Sequence, residues 1–347
     1  MAHQRILVTG GCGFIGSCFV RSLLEHDAAT TVANLDLLTY AGLPQNVGPW
    51  EDSSRYRLIE GDIRDATVVD PLVSEADWII NFAAESHVDR STGNLAGAFV
   101  ETNVYGVFVL LDAMRRLRPD AHFMQIGTDE VYGDVAAPRL PDESDPLAPS
   151  SPYSASKAGA DLLALSFART HGLDVRISRC TNNYGPLQYP EKFIPLFITN
   201  ALDGLPLPLY DGGTQVRDWL NVVDHCDALH LIMEKGAAGE VYNVGANQDP
   251  ERTNLEIMSM ILESTGAPES LVEHRHGLRP GHDQRYAVST EKLRSLGWAP
   301  RSDIQEGMAE TVKWYTENRD WWQARKDAAY QAFYANHYGQ PRDATGS

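Results

Sequence analysis

Tyr153 and Lys157 stand four residues apart in the run Ser151-Pro152-Tyr153-Ser154-Ala155-Ser156-Lys157. On a helix that spacing stacks the two side chains on one face. A phenol is a poor base at neutral pH, because its ordinary pKa is about 10. An ammonium beside it, together with a cationic ring, would favour the phenolate. The pair is one way to build a base that takes a proton from a hydroxyl while hydride leaves the same carbon. About two dozen residues earlier, Thr128-Asp129-Glu130 sets two carboxyls side by side. Adjacent carboxyls in different protonation states suit paired acid and base work. Taken singly, these segments read equally as a surface Tyr/Lys pair and an acidic turn after a strand.

Their context favours chemistry. Ile6-Leu7-Val8 has the continuous apolar character of a buried parallel strand and leads into Thr9-Gly10-Gly11-Cys12-Gly13-Phe14-Ile15-Gly16. Strand, glycine turn and helix in that order let a backbone approach a pyrophosphate at a helix N-terminus. A second strand-like run, 31–35, ends at Asp36, where a carboxylate accepts ribose hydroxyls and repels a 2′-phosphate. Leu37 and Leu38 follow rather than Arg, so NAD is expected over NADP. Alternation continues through 56–60 to Asp62 and Ile63, and through 78–82 to Ala83, Ala84, Ser86 and His87. Asp62 is placed to meet an adenine amino group, and the alanines let the chain pass close to a cofactor. A helical pattern follows over 99–117, and a strand over 122–126 puts Thr128 to Glu130 just past its end, where ligands of open α/β sheets bind. Ser151-Pro152 starts the Tyr153 helix.

The chain has 347 residues, with 43% hydrophobic and 22% charged, ordinary for a globular enzyme. Its net charge of −18 argues against wrapping nucleic acid or docking on an anionic membrane. Cys12, Cys18, Cys180 and Cys226 lack CxxC spacing, so reduced thiols are expected rather than a disulfide frame or a metal site. Neither a leader nor an apolar run near 18 residues is evident, and a cytoplasmic location is expected. The expected architecture is α/β: a Rossmann-type doubly wound parallel sheet over 1–184, with a returning segment near 222–245. A smaller mixed lobe would comprise 185–221 and 246–330, with an unstructured tail over 338–347.

Nearly the whole chain resembles the dTDP-glucose 4,6-dehydratases, a family of extended short-chain dehydrogenase/reductases. The glycine turn and the Tyr153–Lys157 spacing mark only the superfamily. More specific are Asp36-Leu37-Leu38-Thr39-Tyr40-Ala41-Gly42, Ala83 to Ser91, Thr128-Asp129-Glu130-Val131-Tyr132-Gly133, and Asn182-Asn183-Tyr184-Gly185-Pro186. Pro190-Glu191-Lys192, Val216-Arg217-Asp218-Trp219 and Arg279-Pro280-Gly281-His282-Asp283 complete the match. The resemblance implies that Tyr153 is the base for the sugar C4 hydroxyl, aided by Thr128, and that Lys157 tunes it. It assigns removal of the C5 proton to Glu130 and protonation of the departing C6 hydroxyl to Asp129. Bound NAD would be held by Gly10, Gly13, Phe14, Ile15, Gly16, Asp36, Leu37, Thr39, Asp62, Ile63, Ala83, Ala84, Ser86, Tyr153, Lys157 and Cys180. The nucleotide sugar, dTDP-glucose, would meet Ser86, His87, Thr128, Asn182, Glu191, Lys192, Arg217, Arg279 and His282. The family also implies a homodimer through two helices per subunit. Here those are the 99–117 pattern and the Tyr153 helix, whose Val104, Val107, Leu110, Leu111, Leu162, Leu163 and Phe167 suit a partner helix or, equally, the sheet.

Three positions depart from the family pattern: Leu37 follows Asp36 where Lys or Ser is common, Gly127 replaces a frequent Ser, and 272–277 changes the spacing before Arg279. Competing readings are a 4,6-dehydratase for a GDP-, CDP- or UDP-sugar, a sugar-nucleotide 4-epimerase, and a non-catalytic dinucleotide sensor. The epimerase has no use for Asp129 with Glu130, and the sensor has no use for the catalytic set.

Overall fold

β1 (Arg5–Thr9) is buried on both faces, and its alternation decides what packs where. Ile6 and Val8 join one apolar cluster, with Phe19, Leu23 and Leu229, while Leu7 joins another, with Ile79, Phe123 and Leu110. A strand with helices on both sides needs apolar residues at every position, which is why its sequence reads as a continuous run. The computed structural model describes residues 4–87, 91, 96–275 and 283–338.

Six more strands follow in the same sheet: β2 (Thr31–Asp36), β3 (Tyr56–Glu60), β4 (Trp78–Asn81), β5 (His122–Thr128), β6 (Asp174–Cys180) and β7 (Val241–Val244). The spatial order is β7-β6-β5-β4-β1-β2-β3, with every pairing parallel. The direction of winding reverses between β1 and β4, so a crevice opens at their carboxyl ends. On one face lie α1 (Phe14–His26) and a late helix; on the other lie α2 (Ala66–Glu75), α3 (Val107–Leu117) and α4 (Pro152–His171). The late helix, α5 (Val222–Lys235), packs beside α1 and leads back to β7 at the sheet edge.

Local chemistry fixes the start of α4. Ser151 accepts from the Ser154 N–H at 3.1 Å, the Ser151 N–H donates to Ser154 Oγ at 3.0 Å, and Pro152 opens the first turn. The 99–117 pattern is a continuous helical stretch over Ala96–Leu117, interrupted by a π-helical turn at Glu101–Gly106. That stretch is long and apolar enough to cross a membrane by length and composition, yet half of it is buried inside the fold. Of the two orientations open to them, Val107, Leu110 and Leu111 take the one that packs against the sheet, because their spacing of three and four residues forms the inward stripe. Val100, Tyr105, Phe108, Leu117 and Leu162 are the exposed large apolar residues of these helices.

A second core gathers Ile194, Phe197, Leu207, Trp219, Ile257, Met308, Tyr315 and Trp322. It is built from helices Phe193–Asp203, Asn254–Thr265 and Ile304–Glu317 with short strands, including a parallel pair between Leu207–Tyr210 and Val272–Arg275. All four cysteines are free and buried.

Candidate active site

The glycine turn at the end of β1 folds as it does because nothing larger fits. Gly10 has φ +71°, and a Cβ there would lie 2.6 Å from the Ala83 nitrogen. Gly13 caps α1 and offers no side chain to the helix N-terminus. Asp36, at the end of β2, accepts from the Cys12 N–H at 2.8 Å through Oδ2 and from the Leu38 N–H at 2.9 Å through Oδ1. Burial pushes its carboxyl up, and those two N–H groups pull it back. One cavity of about 380 Å³ runs from here across the carboxyl ends of the strands. Gly10, Gly13, Phe14, Ile15, Gly16, Asp36, Leu37, Thr39, Asp62, Ile63, Ala83, Ala84 and Ser86 line one stretch of it. Asp62 also takes a forked contact from Arg64, with Nη2 at 2.6 Å and Nε at 2.9 Å from Oδ2.

The same cavity reaches Thr128, Asp129, Glu130, Tyr153, Lys157 and Cys180. Thr128 ends β5, and its hydroxyl accepts from the Glu130 N–H at 3.3 Å as a 3₁₀ turn, Asp129–Tyr132, begins. It also donates to Asp129 Oδ1 at 3.2 Å. Asp129 is almost wholly enclosed, and Oδ2 is buried with no hydrogen-bond partner among the described residues. Burial pushes its carboxyl well above the usual range, with Glu130 and Asp218 adding to the rise and Arg217 opposing it. Burial and the neighbouring carboxyls thus favour the protonated form of Asp129.

Lys157 donates to the Ile126 carbonyl at 2.6 Å. Burial lowers its ammonium, while Asp161 and Cys180 raise it. Burial, then Glu130 and Cys180, push the Tyr153 phenol well up, and the Thr128 hydrogen bond works the other way. Desolvation prevails here because both groups of the pair are buried and the ammonium donates to a carbonyl.

Asn182, Glu191 and Lys192 line both this cavity and an adjoining one of about 170 Å³, which His87 and Arg217 line with Glu130. Lys192 donates to the Ser86 carbonyl at 2.8 Å, and Glu191 accepts from the Tyr40 hydroxyl at 2.6 Å with His87 Nε2 at 3.8 Å. Arg217 is buried; its guanidinium donates to the carbonyls of Val216 (2.7 Å) and Asp283 (2.9 Å) and lies 4.3 Å from the Tyr286 ring centre. Burial lowers its pKa, and Tyr286, Glu130 and Asp129 oppose that. Arg279 and His282 lie outside the described residues.

Against known proteins, the family model for GDP-mannose 4,6 dehydratase matches residues 7–311. The chain belongs to that family. It is 49% identical over 349 aligned positions to a dTDP-glucose 4,6-dehydratase of Streptomyces niveus, spanning 99% of this chain and 98% of the relative. The crystal structure of a dTDP-glucose 4,6-dehydratase from Streptomyces venezuelae with NAD bound superposes with a TM-score of 0.89. It is 48% identical, covering 93% of this chain and 100% of that one. A UDP-glucose 4-epimerase of Thermus thermophilus in complex with NAD shares the fold at a TM-score of 0.82. Its identity is 31%, over 90% of this chain and 99% of that one.

A dinucleotide fits this family member's cradle, where the Cβ-free turn at Gly10 meets Ala83 and the Asp36 carboxylate closes the far end. Two residues of the site were missed in the sequence. Tyr286 stands behind Glu130 and under Arg217, and no motif announces it. Asn103 accepts from the Glu85 N–H at 2.9 Å and donates to the Glu85 carbonyl at 3.0 Å, clamping the stretch beside Ala83 and Ala84. It also donates to Ser156 Oγ at 2.9 Å. The π-helical turn carries Asn103, as such turns often do at functional sites; a buried Asn within an apolar helical run was the available signal. Arg285 is committed to structure: it pairs with Glu251 and donates to the carbonyls of Val135 and Arg139.

Proposed function

We propose that this protein is an NAD-dependent dTDP-glucose 4,6-dehydratase, a hydro-lyase that yields dTDP-4-keto-6-deoxyglucose for deoxysugar biosynthesis. The observation that carries the reading is Asp129, a buried carboxyl whose protonated form its surroundings favour, directly beside Glu130 in a cavity that Thr128 and Tyr153 also line. An enzyme that only exchanges hydrogen at C4 has no use for that pair.

NAD, when bound in the Gly10–Gly16 cradle, supplies the acceptor for the C4 hydrogen, a positive charge near the Tyr153 phenol, and the hydrogen returned to C6. Tyr153 Oη takes the proton from the C4 hydroxyl, and Thr128 Oγ1 orients that hydroxyl. Lys157 holds the nicotinamide ribose and lends its charge to the phenolate. The C4 ketone acidifies the C5 proton, which Glu130 removes. Asp129 gives its proton to the C6 hydroxyl, which leaves as water. When hydrogen is returned to C6, the protonated Glu130 gives a proton back to C5, and exchange with solvent removes the proton from Tyr153 and restores that of Asp129. The lobe of 185–221 and 246–330 binds the nucleotide, with Lys192, Arg217 and Arg279 serving the pyrophosphate, and Ser86, His87, Asn182, Glu191 and His282 the substrate pocket.

The reading includes a cytoplasmic homodimer. The exposed apolar face of Val100, Tyr105, Phe108 and Leu162 supports a bundle formed with the same helices of a second copy. The substrate is tested by incubating the enzyme with dTDP-glucose and with the UDP-, CDP- and GDP-hexoses, following loss of water by mass spectrometry. Turnover fastest with dTDP-glucose supports the assignment; preference for another nucleotide reassigns the substrate within the dehydratases.

A further inference from the structure

β1 lies between β4 and β2 in the sheet, so the segments that follow β4 and β2 flank the glycine turn at the end of β1. Tyr40 stands in the segment after β2 and Ser86 in the segment after β4, and both line the larger cavity. Two consecutive residues of the substrate lobe bond to one each. The Tyr40 hydroxyl donates to Glu191 Oε1 at 2.6 Å, short for an O–H···O contact. Lys192 Nζ donates to the Ser86 carbonyl at 2.8 Å. Glu191-Lys192 therefore joins the two segments that flank the glycine turn. Tyr40 is exposed while Glu191 is buried, which puts their contact at the edge of the cavity.

The segment after β2 is fastened at further points. Asn46 is buried; its Oδ1 accepts from Trp321 Nε1 at 3.1 Å, and its Nδ2 donates to the Cys12 carbonyl at 3.0 Å. Cys12 belongs to the glycine turn, and its carbonyl also accepts from the Leu43 N–H at 3.0 Å. The Tyr40 and Tyr189 rings meet edge to face with centres 5.2 Å apart, and the Tyr189 hydroxyl donates to the Arg325 carbonyl at 3.2 Å. Residues 37–50 are thus bonded to the glycine turn on one side and to the substrate lobe on the other. Tyr40, Gln188, Tyr189, Glu191 and Lys192 line the cavity together and close its side toward that lobe.

We propose that Tyr40 is a positioning residue which, with Glu191, latches residues 37–50 to the substrate lobe and so sets how fast NAD enters and leaves. The need for such a latch rests on the dehydratase reading, in which hydrogen returns to the same sugar and no turnover requires cofactor exchange. The latch itself rests on the contacts above. It joins protein to protein, so it governs passage in both directions. A group bonded to bound NAD would govern release alone.

The test compares Tyr40→Phe with the parent chain. The substitution removes one hydroxyl and keeps the ring that meets Tyr189. Release is followed by chasing radiolabelled NAD from the loaded enzyme with unlabelled NAD, and uptake by adding labelled NAD to the cofactor-stripped chain. Release should be about tenfold faster in the variant, the scale of one lost hydrogen bond that leaves a buried partner. Uptake should quicken by a similar factor, leaving the affinity for NAD within about threefold of the parent's. Parental rates in both directions would overturn the proposal. Faster release with unchanged or slower uptake would overturn it too, because Tyr40 would then act on the bound cofactor or on the fold at large. A parent chain that turns over no nucleotide sugar would sink the dehydratase reading, while the two NAD rates would still decide the role of Tyr40.

Discussion

Thr128 and Asp129 divide one contact in a way that leaves the carboxyl half satisfied. The Thr128 hydroxyl donates to Asp129 Oδ1 at 3.2 Å, and Oδ2 is buried with no hydrogen-bond partner among the described residues. A carboxylate so placed would be costly, and a protonated carboxyl can aim its hydrogen at the substrate. The neighbouring Glu130 adds to the cost of charge on Asp129, so the pair separates into an acid and a second carboxyl.

Replacing Glu130 with Gln keeps the shape of the side chain and removes the base. Elimination should slow by about 10² to 10⁴-fold, the usual span for loss of a positioned acid or base. NAD should still bind, as measured by calorimetry. Unchanged turnover in the mass assay would remove Glu130 from its role.

Asp129→Asn should slow elimination by a similar factor, about 10²-fold or more, yet stabilise the fold at neutral and alkaline pH. The sign follows from the raised carboxyl. The folded state retains a proton that the unfolded state gives up above about 4, so this residue's contribution is full below that pH and declines as pH rises toward its folded value. The amide has no proton to lose. Thermal melts of variant and parent should coincide near pH 4 and separate in the variant's favour at pH 8.

Gly127→Ser would restore a residue common in the family, but into a space this chain has closed. Its Cβ would come 2.8 Å from the Ser178 carbonyl oxygen and crowd the buried Asp161–Arg179 pair. A loss of about 1–3 kcal/mol is expected from overpacking, read by chemical denaturation. A neutral result would mean that β5 and β6 can separate locally.

Asn103→Ala removes both side-chain contacts to the Glu85 backbone. The orphaned groups should cost about 1–3 kcal/mol, and NAD should bind more weakly because the chain beside Ala83 is no longer clamped. Calorimetric titration with NAD checks this directly.

The parts of the molecule legible from sequence are those governed by local chemistry. The run from Ile6 to Gly16 announced a buried strand, a glycine turn and a helix, and β1 and α1 follow it. Ser151-Pro152 announced the start of α4. What depends on which way a helix faces was harder to read. Val107, Leu110 and Leu111 were equally suited to a partner helix or to the sheet, and only the closed fold assigns them inward. The π-helical turn escaped notice because it changes the facing of Asn103 without changing composition. Tyr153 illustrates a different limit. The spacing to Lys157 is visible in the sequence, whereas the desolvation that dominates its protonation comes from residues far apart in the chain. Tyr286 was missed for the same reason: it meets Arg217 at the site from far along the chain, with no motif of its own.

The central claim is that hydrogen leaves C4 and returns to C6 within one active site while Asp129 and Glu130 remove water between the two events. The most direct measurement uses dTDP-glucose deuterated at C4, turned over in ordinary water, with the product read by NMR and mass spectrometry. The account predicts loss of one water, deuterium in the C6 methyl group, and no net NADH. Deuterium retained at C4 of an unchanged-mass galactose epimer, or accumulation of reduced cofactor, would contradict it.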